Sequence, residues 1–136
     1  EMVRSDWSSD VCSSDLTILV AEDDEANFLL LKKALEKTGV AIIHAENGKE
    51  AIRFVKSNPD IDLILMDIRM PVMDGIEATT QIKQINKNLP IIVQTAFTMS
   101  SEKEKSFKAG CDDYISKPII IKELYATVSK YIDKEE

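Results

Sequence analysis

From Leu16 onward, five short apolar runs alternate with five segments in which apolar residues return at helical spacing. The runs are Leu16–Ala21, Val40–Ala45, Leu63–Met66, Ile91–Thr95 and the shorter Asp113–Ser116. Leu63–Met66 is introduced by Pro59, Asp60 and Asp62 and stops at Asp67, after which Pro71 and Gly75 punctuate a turn. An apolar run of strand length between turn signals reads as a buried strand, although periodicity by itself leaves a buried helix segment open. Taken alone, Asp67 could merely terminate that strand, or it could carry chemistry at the strand's carboxyl end.

The intervening segments read as helices with recognisable ends. The first covers about Ala26 to Thr38, with Phe28, Leu31 and Leu35 on one stripe, Lys32, Lys33 and Lys37 opposite, and Gly39 as the stop. Asn47 and Gly48 form a turn before a second helix, Lys49 to Ser57, which turns Ala51, Ile52 and Val55 inward and ends at Asn58–Pro59. The third spans about Ile76 to Asn86, with Ile82 and Ile85 as its clearest apolar positions. Pro90 leads into the fourth strand, and Ser100 or Ser101 caps a fourth helix whose early turns carry Glu102 and Glu104. That helix has Phe107 as its only large apolar residue, so it is expected to be weakly held and able to shift. The last runs from about Ile120 to Ile132, with Ile121, Leu124, Tyr125, Val128 and Ile132 at helical spacing. Strands alternating with helices through short loops predict a doubly wound parallel α/β sandwich.

Residues 1–15 share neither period. "EMVRSDWSSDVCSSD" has no apolar core, repeats "SSD", and resembles a translated sequencing adapter fused to a reading frame. We expect a non-native or disordered leader, 1–15, before one domain, 16–136; a natural flexible linker is the alternative, and neither Trp7 nor Cys12 is expected to act. A length of 136 residues suits one core rather than two. Of the net charge of −7, three negatives fall in the leader (Glu1, Asp6, Asp10 and Asp15 against Arg4). The acidic balance of the rest argues against nonspecific nucleic-acid contact. No run approaches ~18 apolar residues, so no membrane span is expected, and a cytoplasmic setting fits. Cys111 reads as a small buried residue or a plain surface thiol, and the single His44 as a strand-face side chain rather than a metal ligand.

Parallel strands present their carboxyl ends on one edge. That edge therefore collects Glu22 and Asp23 after the first strand, Asp67 after the third, Thr95 after the fourth and Lys117 after the fifth. The run Glu22–Glu25 partly serves the next helix, because acids suit a helix N-terminus, but Glu22 and Asp23 lie closest to the strand. Clustered carboxylates repel unless a hard cation neutralises them, and an all-oxygen set suits Mg²⁺ better than zinc. Asp67 is then the natural nucleophile for a phosphoryl group, with Lys117 as a point charge and Thr95 as a hydrogen-bond donor to its oxygens. A dinucleotide site is excluded, since "EDDEAN" stands where a Gly-rich loop would be needed. There is no Walker motif, and no Ser or Cys stands beside a base.

At this point the chain resembles the receiver domain of bacterial two-component response regulators. The likeness covers Leu16 to Glu136 and rests on "ILVAEDD", "LILMDIRMPVMDG", "IIVQTA" and "GCDDYISKP" in that order. It implies a flavodoxin-like fold with strand order 2-1-3-4-5. It further implies Asp67 as phosphoacceptor and Glu22, Asp23, Asp67 and the Arg69 backbone carbonyl around Mg²⁺. Thr95 becomes the switch hydroxyl, Tyr114 the switch aromatic, and Lys117, before a cis-prone Pro118, the phosphate-sensing lysine. The implied donor is phosphohistidine on a histidine kinase or histidine phosphotransfer protein. The implied output is a changed face of the fourth helix, fifth strand and fifth helix toward a downstream protein. Such domains catalyse their own phosphorylation and dephosphorylation.

Two rivals remain. A phosphorylation-independent interaction module of the same fold would not need the intact site. A magnesium-dependent aspartyl-phosphate hydrolase would need an aspartate where Arg69 stands. The chain ends soon after the last helix, so it reads as a single-domain regulator or as the C-terminal receiver of a hybrid kinase. "GCDDYISKPI" and the "QTA" segment sound more like the latter, whose parent would be a histidine kinase.

Overall fold

The computed structural model describes residues 16–58, 60–95 and 100–132, with side chains for all but 100–103 and 132. The expected leader, Trp7, Cys12, Pro59 and the capping side chains Ser100, Ser101 and Glu102 lie outside that description. Five strands form one sheet: β1 Thr17–Ala21, β2 Ala41–Ala45, β3 Leu63–Asp67, β4 Ile91–Thr95 and β5 Asp113–Ser116. The order is β2-β1-β3-β4-β5, and every pairing is parallel. The helices are α1 Glu25–Glu36, α2 Gly48–Ser57, α3 Gly75–Ile85, α4 Ser100–Ala109 and α5 Ile121–Ile132. This is the flavodoxin-like doubly wound sandwich, as expected.

β3 and β4 are buried along their whole length, which is why they read as continuous apolar runs rather than alternating ones. Alternate residues feed two cores. Leu19, Ala21, Ile64, Met66, Ile91 and Val93 pack with Ala51, Ile52 and Val55 of α2 and Ala78 and Ile82 of α3. Ile18, Val20, Leu63, Leu65, Ile92 and Ile115 pack with Leu31, Ala34 and Leu35 of α1 and Leu124 and Val128 of α5.

Helix ends follow local chemistry. Asp24 caps α1, accepting from Ala26 N and Asn27 N, and Gly39 stops it with φ 88°. Asn47 caps α2 through a 2.9 Å bond from Glu50 N. Gly48 is therefore the first helical residue rather than part of a turn.

Two large apolar residues on helices lie toward solvent. Ile85 is 43% exposed, because α3 faces the core through Ala78, Thr79 and Ile82 and residue 85 falls on the margin of that stripe. Phe107 is 45% exposed and meets Tyr114 edge-on, with ring centroids 6.3 Å apart, while its neighbour Ser106 is the buried residue. Cys111 is the buried alternative of the two expected. Burial and the charges of Asp112 and Asp113 push its thiol up to about 12.

Candidate active site

Apart from Tyr114, the predicted site residues stand at or just beyond the carboxyl end of a strand. Glu22 follows β1, Asp67 and Thr95 close β3 and β4, and Lys117 follows β5. Backbone bonds lock these ends together: Glu22 N–H donates to Ala45 O at 3.0 Å, Ile68 N–H to Gln94 O at 3.2 Å, and Lys117 N–H to Thr95 O at 2.8 Å. The sheet thus fixes the positions before any side chain contributes.

Lys117 Nζ donates to Asp67 Oδ1 at 3.0 Å and lies 3.8 Å from Glu22 Oε1. Glu22, Asp23 and Asp67 each offer a carboxylate oxygen within 4.8 Å of the others, the first and last buried and Asp23 exposed. Two buried carboxylates against one ammonium, with the exposed Asp23 alongside, leave a surplus of negative charge in a poorly solvated place. Burial first, then the charge of Asp67, pushes the Glu22 carboxyl up to about 7, against the opposing pull of Lys117. Glu22 Oε2 accepts from Asp24 N–H at 3.2 Å, whereas Glu22 Oε1 is buried without a hydrogen-bond partner.

An all-oxygen donor set, an unpartnered buried carboxylate oxygen and uncompensated negative charge fit a small divalent cation. Among the described residues this is the one group of such side chains close enough to hold a metal. Arg69 lies alongside, lining a cavity of about 630 Å³ with Asp23, Met70, Pro71, Asp74 and Lys105. Thr95 is buried at 3% exposure, next to the Lys117 backbone. Tyr114 is half-buried on β5 and packs toward α4, so it belongs to the sheet's flank rather than to the carboxylate cluster. The Lys117–Pro118 peptide is cis.

Gly75 punctuates the turn after Asp67 as expected, and a Cβ there would stand 2.1 Å from Asp67 O, so this loop can close only over glycine. Three features escaped the sequence reading. Val72 in that loop has φ 69°, a left-handed conformation that strains a β-branched residue and carries no sequence signal. Gln94, in register with Asp67, is fully buried with neither amide atom hydrogen-bonded. His44 places Nε2 2.9 Å from Glu22 O.

The fold and the pocket together define a doubly wound α/β domain with a cation-ready acidic cluster at its topological switch edge. Residues 18–129 match the response regulator receiver domain, and the chain belongs to that family. It is 42% identical over 125 residues to hybrid signal transduction histidine kinase I of Dictyostelium discoideum, with 86% of this chain covered but only 7% of that protein. It is 35% identical to the polar-differentiation response regulator DivK of Brucella anthropi, covering 85% of this chain and 95% of that one. Its fold is similar to the receiver domain of the sensor histidine kinase PA1611 from Pseudomonas aeruginosa, solved with magnesium coordinated in the active-site cleft. That match has a TM-score of 0.81 and 31% identity, over 90% of this chain and 100% of the other.

Proposed function

We propose that Asp67 accepts a phosphoryl group from phosphohistidine on a histidine kinase or a histidine phosphotransfer protein. The observation that carries this is the 3.0 Å contact of Lys117 Nζ with Asp67 Oδ1 beside two further carboxylates. A carboxylate oxygen of Asp67 attacks phosphorus, forming an O–P bond as the N–P bond breaks. The electron pair leaves on the donor's imidazole nitrogen, which a proton then neutralises. Lys117 stays at the oxygens as a point charge, and Thr95 hydrogen-bonds to them. Glu22, Asp23, Asp67 and the Arg69 carbonyl are the groups that would hold Mg²⁺, which when bound supplies neutralisation of charge on the phosphoryl oxygens.

The new charge beside Thr95 and Lys117 biases the loop after β3; the loop after β4, 96–99, lies outside the described residues. Tyr114 turns inward, and the α4–β5–α5 face changes its affinity for a downstream protein. Among the described side chains of α4, Ser106 is the buried one and the half-exposed Phe107 meets Tyr114 edge-on, which supports this choice of moving element. Likeness to a hybrid kinase and to DivK supports a phosphorelay setting, either as one domain of a longer kinase or as a regulator of receiver size. Among the described residues no helix is long and apolar enough to cross a membrane, which supports a cytoplasmic site of action.

Labelling with acetyl phosphate tests the assignment. The wild type is expected to incorporate phosphate only with Mg²⁺, and Asp67→Asn to incorporate none. Equal labelling of both proteins would remove Asp67 as the acceptor.

A further inference from the structure

His44 is the only histidine in the chain, and the phosphotransfer chemistry makes no use of it. Its side chain is half-buried on the α1 side of β2, where Val20 is its partner in register. Nε2 lies 2.9 Å from the backbone carbonyl of Glu22. A carbonyl oxygen can only accept, so Nε2 carries the proton in this contact. The ring is stacked on Phe28, with centroids 3.6 Å apart and planes 10° from parallel. Phe28 stands in the first turn of α1, the helix that Asp24 caps. The imidazole is therefore clamped in plane and aimed at one atom.

That atom belongs to one of the clustered carboxylate residues. Glu22 opens a run of four acids, Glu22 to Glu25, whose mutual repulsion favours splaying. Three hydrogen bonds oppose it. Its N–H donates to Ala45 O at 3.0 Å, its Oε2 accepts from Asp24 N–H at 3.2 Å, and its carbonyl accepts from His44. With these made, Oε1 is the oxygen left over, 3.8 Å from Lys117. β2 is an edge strand, and its hold on the Glu22 backbone consists of the Ala45 and His44 bonds.

We propose that His44 is a positioning residue for the carboxylate cluster, its Nε2–H fixing the Glu22 carbonyl and through it the direction in which Oε1 faces the metal position. The inference rests on the reading of that cluster as the Mg²⁺ site. Groups that orient metal ligands from outside the coordination sphere typically change affinity by 10–100-fold when lost. A bond to a ligand's backbone should fall at the low end, roughly tenfold.

Two substitutions separate the hydrogen bond from the packing. His44→Phe keeps a ring to stack on Phe28 and loses the donor. His44→Gln loses the ring and keeps an N–H donor near the reach of Nε2. Mg²⁺ affinity of the full chain is read by amide NMR titration with magnesium chloride, and function by the Mg²⁺ dependence of acetyl phosphate labelling. His44→Phe should bind Mg²⁺ roughly tenfold more weakly. Its half-maximal Mg²⁺ concentration for labelling should rise to match, with the rate at saturating Mg²⁺ within about twofold of wild type. His44→Gln should titrate like the wild type. Wild-type affinity in His44→Phe would overturn the proposal, whether His44→Gln is weakened or not, since packing or nothing at all would then account for the ring. A wild type with no saturable Mg²⁺ response would overturn the reading of the site itself, and this inference with it.

Discussion

The two edges of the sheet use the same residue types to opposite ends. At the amino edge, Lys83 donates to Leu89 O at 2.8 Å, to Lys87 O at 3.2 Å and to Asp112 Oδ2 at 2.8 Å, spending all three ammonium protons. Asp112 Oδ2 also takes the Ile91 N–H at 2.9 Å, and Asp62 Oδ2 takes the Thr17 N–H at 2.8 Å. Each of these carboxylates meets a donor, and Lys83 matches Asp112 charge for charge. At the carboxyl edge, one ammonium faces two buried carboxylates, with the exposed Asp23 alongside, and a buried oxygen is left without a partner. A satisfied ion pair ties elements together. An unsatisfied one of similar size is an arrangement completed by something that arrives.

The contrast is broken most severely by removing the cation at each edge. Lys117→Met should cut acetyl phosphate labelling at saturating Mg²⁺ by about 10²-fold, the usual scale for losing one charge-stabilising donor. Single-turnover labelling rates check it; a rate within threefold of wild type would show that Lys117 does not face the transferring group. Lys83→Met should leave that rate unchanged in the folded protein. It should instead lower stability by about 2 kcal/mol, because a part-buried carboxylate and two carbonyls lose their donor. Urea unfolding measures the loss. A variant as stable as wild type but poorly labelled would erase the distinction between the edges.

The amount of this that could be read in advance differed between the edges for a physical reason. Asp67, Glu22, Asp23, Thr95 and Lys117 each sit at the end of a strand, and a parallel sheet turns strand ends into neighbours whatever the side chains do. The gathering of these side chains on one edge followed from that rule, whereas the strand order was implied by the resemblance to receiver domains. The contacts that tune the site obey no such rule. The Phe28–His44 stack depends on how α1 lies over the sheet's edge, and the left-handed Val72 on how the loop closes beneath Gly75. The exposure of Ile85 and Phe107 was not legible, because an apolar pattern does not say which residue a helix buries. α3 approaches through Ala78 and Thr79, and the buried residue beside Phe107 is Ser106. Small residues allow close packing and leave little trace in an apolar pattern.

The smallest effect concerns Glu22 alone and sharpens the comparison from the electrostatic side. Its carboxyl is raised from an ordinary 4.5 to about 7 by burial and by Asp67. The metal-free folded state therefore holds this proton more tightly than the unfolded chain does. The stability it contributes is fully present below about pH 4.5 and is lost as pH rises through about 7. Glu22→Gln cannot ionise and should escape that loss. In EDTA, the variant should gain on the wild type between about pH 5 and about pH 7.5, by up to roughly 3 kcal/mol. Mg²⁺ should reverse the order near neutral pH, since binding selects the ionised carboxylate that the variant lacks. Urea unfolding at the two pH values, with and without Mg²⁺, separates these contributions. A pH-independent difference between the proteins would mean that Glu22 is already satisfied in the metal-free state, and the two edges would then differ only in degree.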